Sequence, residues 1–314
     1  MTVKEVFDLR KQGKTEEAYE AIRPMYAVHQ GKYTTLCMFW TASDILKKRI
    51  GEKRLDEAVK IFKALLRILP NIDDRDGKAL SSILHEAVML DKEVKAFSML
   101  EFLSQLNVEE LSNADWQQAT LPSSPGTPSH PIPSVAQQLL TCAFHEIQDN
   151  PIADHALQAM PLLQEAMRRN PRNKNNQRYM AVVYGIMGER EKAVAIYEQL
   201  LQRYHDSWLY AELAALTDDI GRKAALLCRA IQSQRQEQFR GGYRLALASL
   251  LIDRDKPRAA YELKKCIDNR KAQGYGDGTT RHIRSMLQQL QGVSPATDAE
   301  QQDFYRRMAA KYSV

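Results

Sequence analysis

Ala159 and Ala193 stand 34 residues apart, and the stretches around them follow one pattern. Residues 177–204, QRYMAVVYGIMGEREKAVAIYEQLLQRY, carry Ala181 and Tyr184, then Gly188, then Ala193, Tyr197 and Leu200. Spacings of three and four place each group on one helix face, and the glycine marks a turn between two helices. The preceding stretch, HALQAMPLLQEAMRRNPRN, puts Ala159, Leu163, Ala166 and Pro171 at matching offsets. A two-helix unit of this size cannot bury its apolar stripe alone, so successive units must stack on one another.

Comparable second helices are expected near Ala18, Ala58, Ala96, Ala224 and Ala259. The intervals along the series are 40, 38, 63, 34, 31 and 35 residues, so the repeat has drifted everywhere except around 155–204. Each alanine is expected where two helices cross closely, because a larger side chain there would overpack the crossing by roughly 1–3 kcal/mol. Hairpin dipeptides of the Asn-Gly or Asp-Gly type are scarce, occurring only as Asp76-Gly77 and Asp277-Gly278. The fold class is therefore all-α, with about seven degenerate helical hairpins. A further helix over Thr280–Gln291 and a last one in DAEQQDFYRRMAAKYS should close the stack. Thr297 and Glu300 stand at capping-box spacing in the last helix, and Phe304, Met308 and Ala309 should cover the final repeat.

Over roughly residues 3–273 the chain resembles the tetratricopeptide repeat (TPR) family, with strong motif agreement in about two repeats. The resemblance implies a right-handed α-solenoid whose concave wall is lined by the first helix of each pair, acting as a scaffold for a protein or peptide partner. On that wall it would place Asn175, Arg178, Tyr179 and Val182, with Trp208, Arg240 and Arg244 from later repeats. Trp208 fits two registers, one packing it against the core and one presenting it on the wall. The lysine and asparagine pattern by which chaperone-binding relatives clamp a peptide carboxylate is not reproduced at the matching positions. A second resemblance, carried by WLYAELAALTDDIGRKAALLCRAI and FRGGYRLALASLLIDRDKPRAAYELKKCIDNRKAQGYG, is to the helical part of bacterial conflict-system proteins. Those proteins commonly carry a cold-shock-like nucleic-acid-binding barrel after the repeats, and no such barrel is read in this sequence.

Charge bears on the choice of partner. Residues 1–120 hold 18 Lys and Arg against 19 Asp and Glu; residues 121–314 hold 26 against 20. The second half is mildly basic, which favours acidic partners there and leaves nucleic acid as the alternative. RQEQFRGGYRLALA, residues 235–248, interleaves arginines with Phe239 and Tyr243, a mixture suited to single-stranded nucleic acid but shared by solvated helix starts.

The signatures of an enzyme are missing. Neither His85 nor His145 is followed by a second histidine at the zinc-protease spacing, and His145, Asp149 and His155 are separated by a helix break at Pro151. GYGDGTT at 274–280 lacks the preceding strand of a dinucleotide site and reads as a connection into a helix capped by Thr279. No Gly-x-Ser-x-Gly elbow occurs. No catalytic residue, metal or cofactor is expected. No apolar run reaches the ~18 residues of a membrane span. Cys37, Cys142, Cys228 and Cys266 lie far apart on apolar helix faces, as expected of core thiols in a reducing cytoplasm.

LPSSPGTPSHPIPS, residues 121–134, holds five of the twelve prolines and cannot be helical. It lies in the 63-residue interval, where one repeat leaves a surplus of about 29 residues. The expected organisation is N-terminal repeats over 1–120, a proline-rich insertion over 121–134 strapped across the stack, C-terminal repeats over 135–273, and a loop with capping helices over 274–314.

Overall fold

The computed structural model describes residues 1–120, 131–274 and 277–312. The proline-rich segment between 120 and 131, and Tyr275 and Gly276 of the glycine loop, lie outside the described residues. The described chain is all-α apart from one two-residue ladder, and its helices pack in sequential pairs, a TPR-like helical-repeat architecture. It divides into two compact units, Met1–Tyr179 and Met180–Val314.

The first unit contains α1 (Val3–Lys11), α2 (Thr15–Val28), α3 (Lys32–Gly51), α4 (Leu55–Ile68), α5 (Lys78–Glu93), α6 (Met99–Ser104), α7 (Val135–Asp149) and α8 (Ala153–Arg169). Each helix packs on its successor in the pairs α1–α2, α3–α4, α5–α6 and α7–α8. The first helices also pack side by side, α1 on α3, α3 on α5 and α5 on α7. α9 (Lys174–Ile186) contains the division. The second unit continues with α10 (Arg190–Leu201), α11 (Ser207–Ala215), α12 (Ile220–Ser233), α13 (Gly241–Leu251), α14 (Lys256–Ala272), α15 (Asp277–Gln289) and α16 (Asp298–Lys311).

One turn recurs in both units. Gly13, Lys53 and Gly188 each precede a repeat alanine by five residues, and each adopts a left-handed backbone with φ of 76°, 59° and 79°. At each, the following amide bonds back five residues, to Leu9, Arg49 and Tyr184. This helix-ending motif satisfies the last carbonyls of one helix and aims the chain into the next.

The repeat alanines behave as their size demands. Ala18, Ala58, Ala193 and Ala259 are fully buried, and Ala159 and Ala224 are 3% exposed. Ala96 is the exception: it is exposed in the connection after α5. Ser98 caps α6 by accepting from the Glu101 amide, so the helix starts at Met99, beyond the alanine, and lasts only six residues. The chain then runs through two 3-10 turns, Val108–Glu110 and Asn113–Trp116, and an antiparallel pair of two-residue strands. In that pair β1 (Ala119–Thr120) meets β2 (Pro131–Ile132), with Ala119 opposite Ile132. The stretch before the proline-rich insertion packs on α8: Arg169 lies over the Trp116 ring at 4.9 Å and donates to Asn113 Oδ1 at 3.0 Å.

At the other end, α15 begins at Asp277, so Thr279 lies inside the helix instead of capping it. Gly292, at φ 85°, follows it. α16 carries the expected capping box between Thr297 and Glu300. It packs back on α12, however, and its buried residues are Gln301, Tyr305 and Ala309, with Phe304 and Met308 partly buried beside the same core.

Candidate functional site

The residues expected to line a first-helix wall have different fates. In the first unit, Asn175 is exposed at the start of α9. Tyr179 is 6% exposed, stacks on Phe144 of α7 at 4.1 Å, and has its hydroxyl 3.3 Å from Thr141 Oγ1. Arg178 places its guanidinium over the other ring contact of that cluster, 4.8 Å from the Phe144 centroid. In the second unit, Val182 and Trp208 are partly buried against the apolar core. Arg240 donates to the Gln234 carbonyl at 2.8 Å and to Glu237 at 2.6 Å.

Arg244 is 4% exposed and committed inside the second unit. Its Nη1 donates to Glu262 Oε2 at 2.8 Å and to the Tyr305 hydroxyl at 3.2 Å, while Nε and Nη2 reach Glu237. Glu262, on α14, has no solvent exposure. Its other oxygen accepts from Gln301 Nε2 at 2.6 Å and from the Tyr305 hydroxyl. Burial pushes the Glu262 carboxyl up, and the Arg244 charge and the hydrogen bonds work against that rise. Four side chains thus tie α13, α14 and α16 together, and a buried charge pair with both carboxylate oxygens occupied is tolerated where a lone charge is not. Arg244 is therefore a packing residue of this unit, placed there by partners 18 and 61 residues away.

The second helices present a different surface. In the second unit, a cleft of about 690 Å³ opens between α10 and α12. Tyr210 and Leu213 of α11 and Leu226 of α12, all buried, contribute its apolar base. Its sides carry Leu201, His205, Arg222 and Arg229, and Tyr312 stands at its edge just after α16. The His205 ring nitrogen Nδ1 and the Tyr210 hydroxyl are 3.0 Å apart. Arg222 donates to Glu198 at 2.6 Å across the cleft, and the same two residues border a second hollow of about 520 Å³ towards Arg190 and Asp218. The two hollows therefore form one trough crossed by an ion pair. That pair is partly exposed on both sides, at 40% and 46%, so an incoming charged group can exchange with either partner at small cost.

The sequence did not single out this trough because its residues come from three helices at irregular spacing. The short 31-residue interval between Ala193 and Ala224 was the available hint, since it marks these two repeats as departing from the common stacking distance.

In the first unit, the corresponding space between α4 and α6 is aromatic. Phe62 meets Phe97 edge-on at 5.6 Å and Phe102 at 5.7 Å, beside a hollow of about 370 Å³ edged by Lys63 and Arg67. Among the described residues, no three His, Cys, Asp or Glu side chains gather as a metal site would require, and all four cysteines are free and buried. No described helix is long and apolar enough to cross a membrane.

A family model described as a domain of unknown function (DUF7017) matches residues 177–311, a span close to the second unit and less than half of the chain. No curated protein matches the chain. Among solved structures, it is similar to a tetratricopeptide repeat protein from Parabacteroides merdae, at 14% identity, with 92% of this chain and 96% of that chain covered and a TM-score of 0.43. It is also similar to the TPR2AB domain of yeast Sti1 in a complex with pHSP90, at 12% identity, 91% and 95% coverage and a TM-score of 0.34. BtubC from P. vanneervenii is similar at 12% identity, with 92% and 94% coverage and a TM-score of 0.29.

Proposed function

We propose that the protein is a non-enzymatic helical-repeat scaffold that grips a protein or peptide segment, with the α10–α12 trough as its main contact surface. The observation that carries this reading is the trough's composition: a buried apolar base beneath arginine-bearing sides. An extended or helical segment with one or two apolar side chains and flanking carboxylates matches both features, the apolar groups supplying affinity and the charges orientation. Helical-repeat stacks present extended surfaces suited to binding a partner. The first-helix residues that remain on the surface, Asn175 and the edges of Arg178 and Arg240, belong to the same reading as secondary contacts.

A nucleic-acid ligand is the alternative, favoured by one observation. Phe239 is 58% exposed and stands four residues after exposed Arg235, a pairing of residue types that can stack a base and pair a phosphate.

A native pull-down with mass spectrometry, run on the wild type and on the Arg222→Glu/Arg229→Glu variant, tests both. The scaffold reading expects a defined protein set retained at high salt by the wild type and lost by the variant. Nucleic acid as the ligand would show instead as association that collapses by a factor of roughly 10³ or more between about 50 and 200 mM salt. Identical protein sets for wild type and variant would remove the trough from the proposal.

A further inference from the structure

α16 is a fourteen-residue helix that docks on the second unit by one face. Gln301, Tyr305 and Ala309 are its buried residues, and Tyr312 continues the same face at the next helical step. Its opposite side, with Gln302, Arg306 and Arg307, is exposed. α12, on which it lies, buries seven residues, and α14 buries eight. Its apolar hold comes from Tyr305 and Ala309, which are buried, and from Phe304 and Met308, which are partly buried beside the same core. Its polar hold is specific: Gln301 and Tyr305, one turn apart, both donate to the same oxygen of Glu262. At the far end, the Tyr312 hydroxyl rests against Gly221, where a Cβ would overlap it. Gly221 thus leaves room for an aromatic side chain from outside α12, at the edge of the trough.

The apolar core that takes up Tyr305 also contains a reporter. Cys228 of α12 is fully buried and lies close enough to Glu262 for that carboxylate to hold its thiol further towards the neutral form, adding to the effect of burial.

We propose that α16 is a displaceable latch, the resident occupant of a helix-docking seat on α12 and α14, and that a partner helix with hydrogen-bond donors one turn apart and a tyrosine near its end binds by replacing it. Biologically this rests on the scaffold reading, since it identifies the class of partner segment. Physically it stands apart, because the latch opens and closes with no partner present. Glu262 keeps Arg244 when α16 leaves, so release does not strand a buried charge. The carboxylate oxygen left by Gln301 and Tyr305 is then open to water or to another helix's donors.

The test uses the full chain and dithionitrobenzoate, with each cysteine's modification followed by peptide mapping. Local opening predicts that Cys228 reacts about tenfold or more faster than Cys37 of the first unit, with a weaker dependence on urea. Tyr305→Phe and Tyr312→Ala should each raise the Cys228 rate several-fold and leave Cys37 unchanged. Cys37 excludes unfolding of the first unit, and Cys266, buried in the second unit on the α13 side, must also stay unchanged if the latch alone has opened. A labelled peptide spanning residues 297–314 should bind the Tyr305→Phe protein more tightly than the wild type. One common rate and urea dependence for all four cysteines, or variants that leave Cys228 unmoved, would overturn the latch. Equal or absent peptide binding to both proteins would overturn the seat. A failed pull-down with an open latch would instead count against the scaffold reading alone.

Discussion

Glu86 and Glu262 are both carboxylates without solvent exposure, and their surroundings treat them differently. Glu262 has a guanidinium on one oxygen and two donors on the other. Glu86, on α5, receives hydroxyls from Ser43 and Ser82 and has only the partly exposed Lys47 ammonium at 3.5 Å, while its Oε2 has no partner. Burial raises its carboxyl above the usual range. A carboxyl raised in the folded state makes that state bind more protons than the unfolded chain, so its contribution to stability is lost as pH rises past the unfolded value near 4.5. Glu86→Gln removes this cost. The variant is expected to be more stable than the wild type at pH 7, by about 1 kcal/mol, with the difference vanishing towards pH 4. Urea denaturation at the two pH values measures it; a variant less stable at pH 7 would show that the ionised carboxylate is a net asset. Arg244→Met makes the opposite case, leaving Glu262 buried without its charge partner, and should cost about 3–5 kcal/mol in the same assay. Replacing Glu262 with Leu as well should recover much of that loss. None of this was legible at residue level in the sequence: Arg244 sits in a basic–aromatic stretch that resembles a surface, and its burial is imposed by Glu262 and Tyr305, far along the chain.

At the scale of single helices much more could be read, because the determinants are local. Alanine spacing located the second helices, and the Thr297–Glu300 capping box located the start of α16. The expectation at Ala96 failed because one serine, Ser98, captures the helix start and moves it past the alanine. A cap is worth about 1 kcal/mol, comparable to what one small side chain gains by its position. The seat of α16 was read in part, with Phe304, Met308 and Ala309 packed on the core as expected. What the sequence did not show is that Gln301 and Tyr305 share that face and bond Glu262 of α14, far along the chain. The repeated left-handed turn yields a direct prediction. Gly13 and Gly188 fill it without steric cost, whereas Lys53 holds φ 59° with a Cβ present. Lys53→Gly should therefore stabilise the first unit by about 0.5–1 kcal/mol, the strain relieved exceeding the flexibility gained by the unfolded chain, although its ion pair with Glu93 is lost. Gly188→Ala should destabilise by about 1–2 kcal/mol. Thermal unfolding of the two variants checks the pair, and shifts of the same sign would contradict the turn's role.

At the scale of the whole chain, sequence periodicity announced stacked helical hairpins but not where the chain divides. A repeat pattern reports what each hairpin buries, whereas a division reports where contacts thin out, and here that falls inside α9, at Tyr179 and Met180. The proline-rich segment lies about fifty residues earlier, within the first unit. On either side of it the helices are joined by packing: α5 against α7, and α6 against both α7 and α8. Residues flanking the insertion add further ties, through Arg169 to Trp116 and Asn113, through Ser98 Oγ at the start of α6 donating to Glu146 Oε1 at 2.7 Å, and through the β1–β2 ladder at the insertion's neck. These contacts argue that continuity of the backbone through the prolines is dispensable once the unit has folded. A protease site introduced at Gly126 and cut in the native protein should therefore leave residues 1–126 and 127–314 together on gel filtration, with helical content unchanged. Loop closure over this span contributes only a few kcal/mol, so the nicked protein should unfold at a somewhat lower denaturant concentration and fall apart only then. Two fragments eluting separately and folded in native buffer would show that the prolines link independent bodies and that the packing of α5 and α6 on α7 and α8 is too weak to join them.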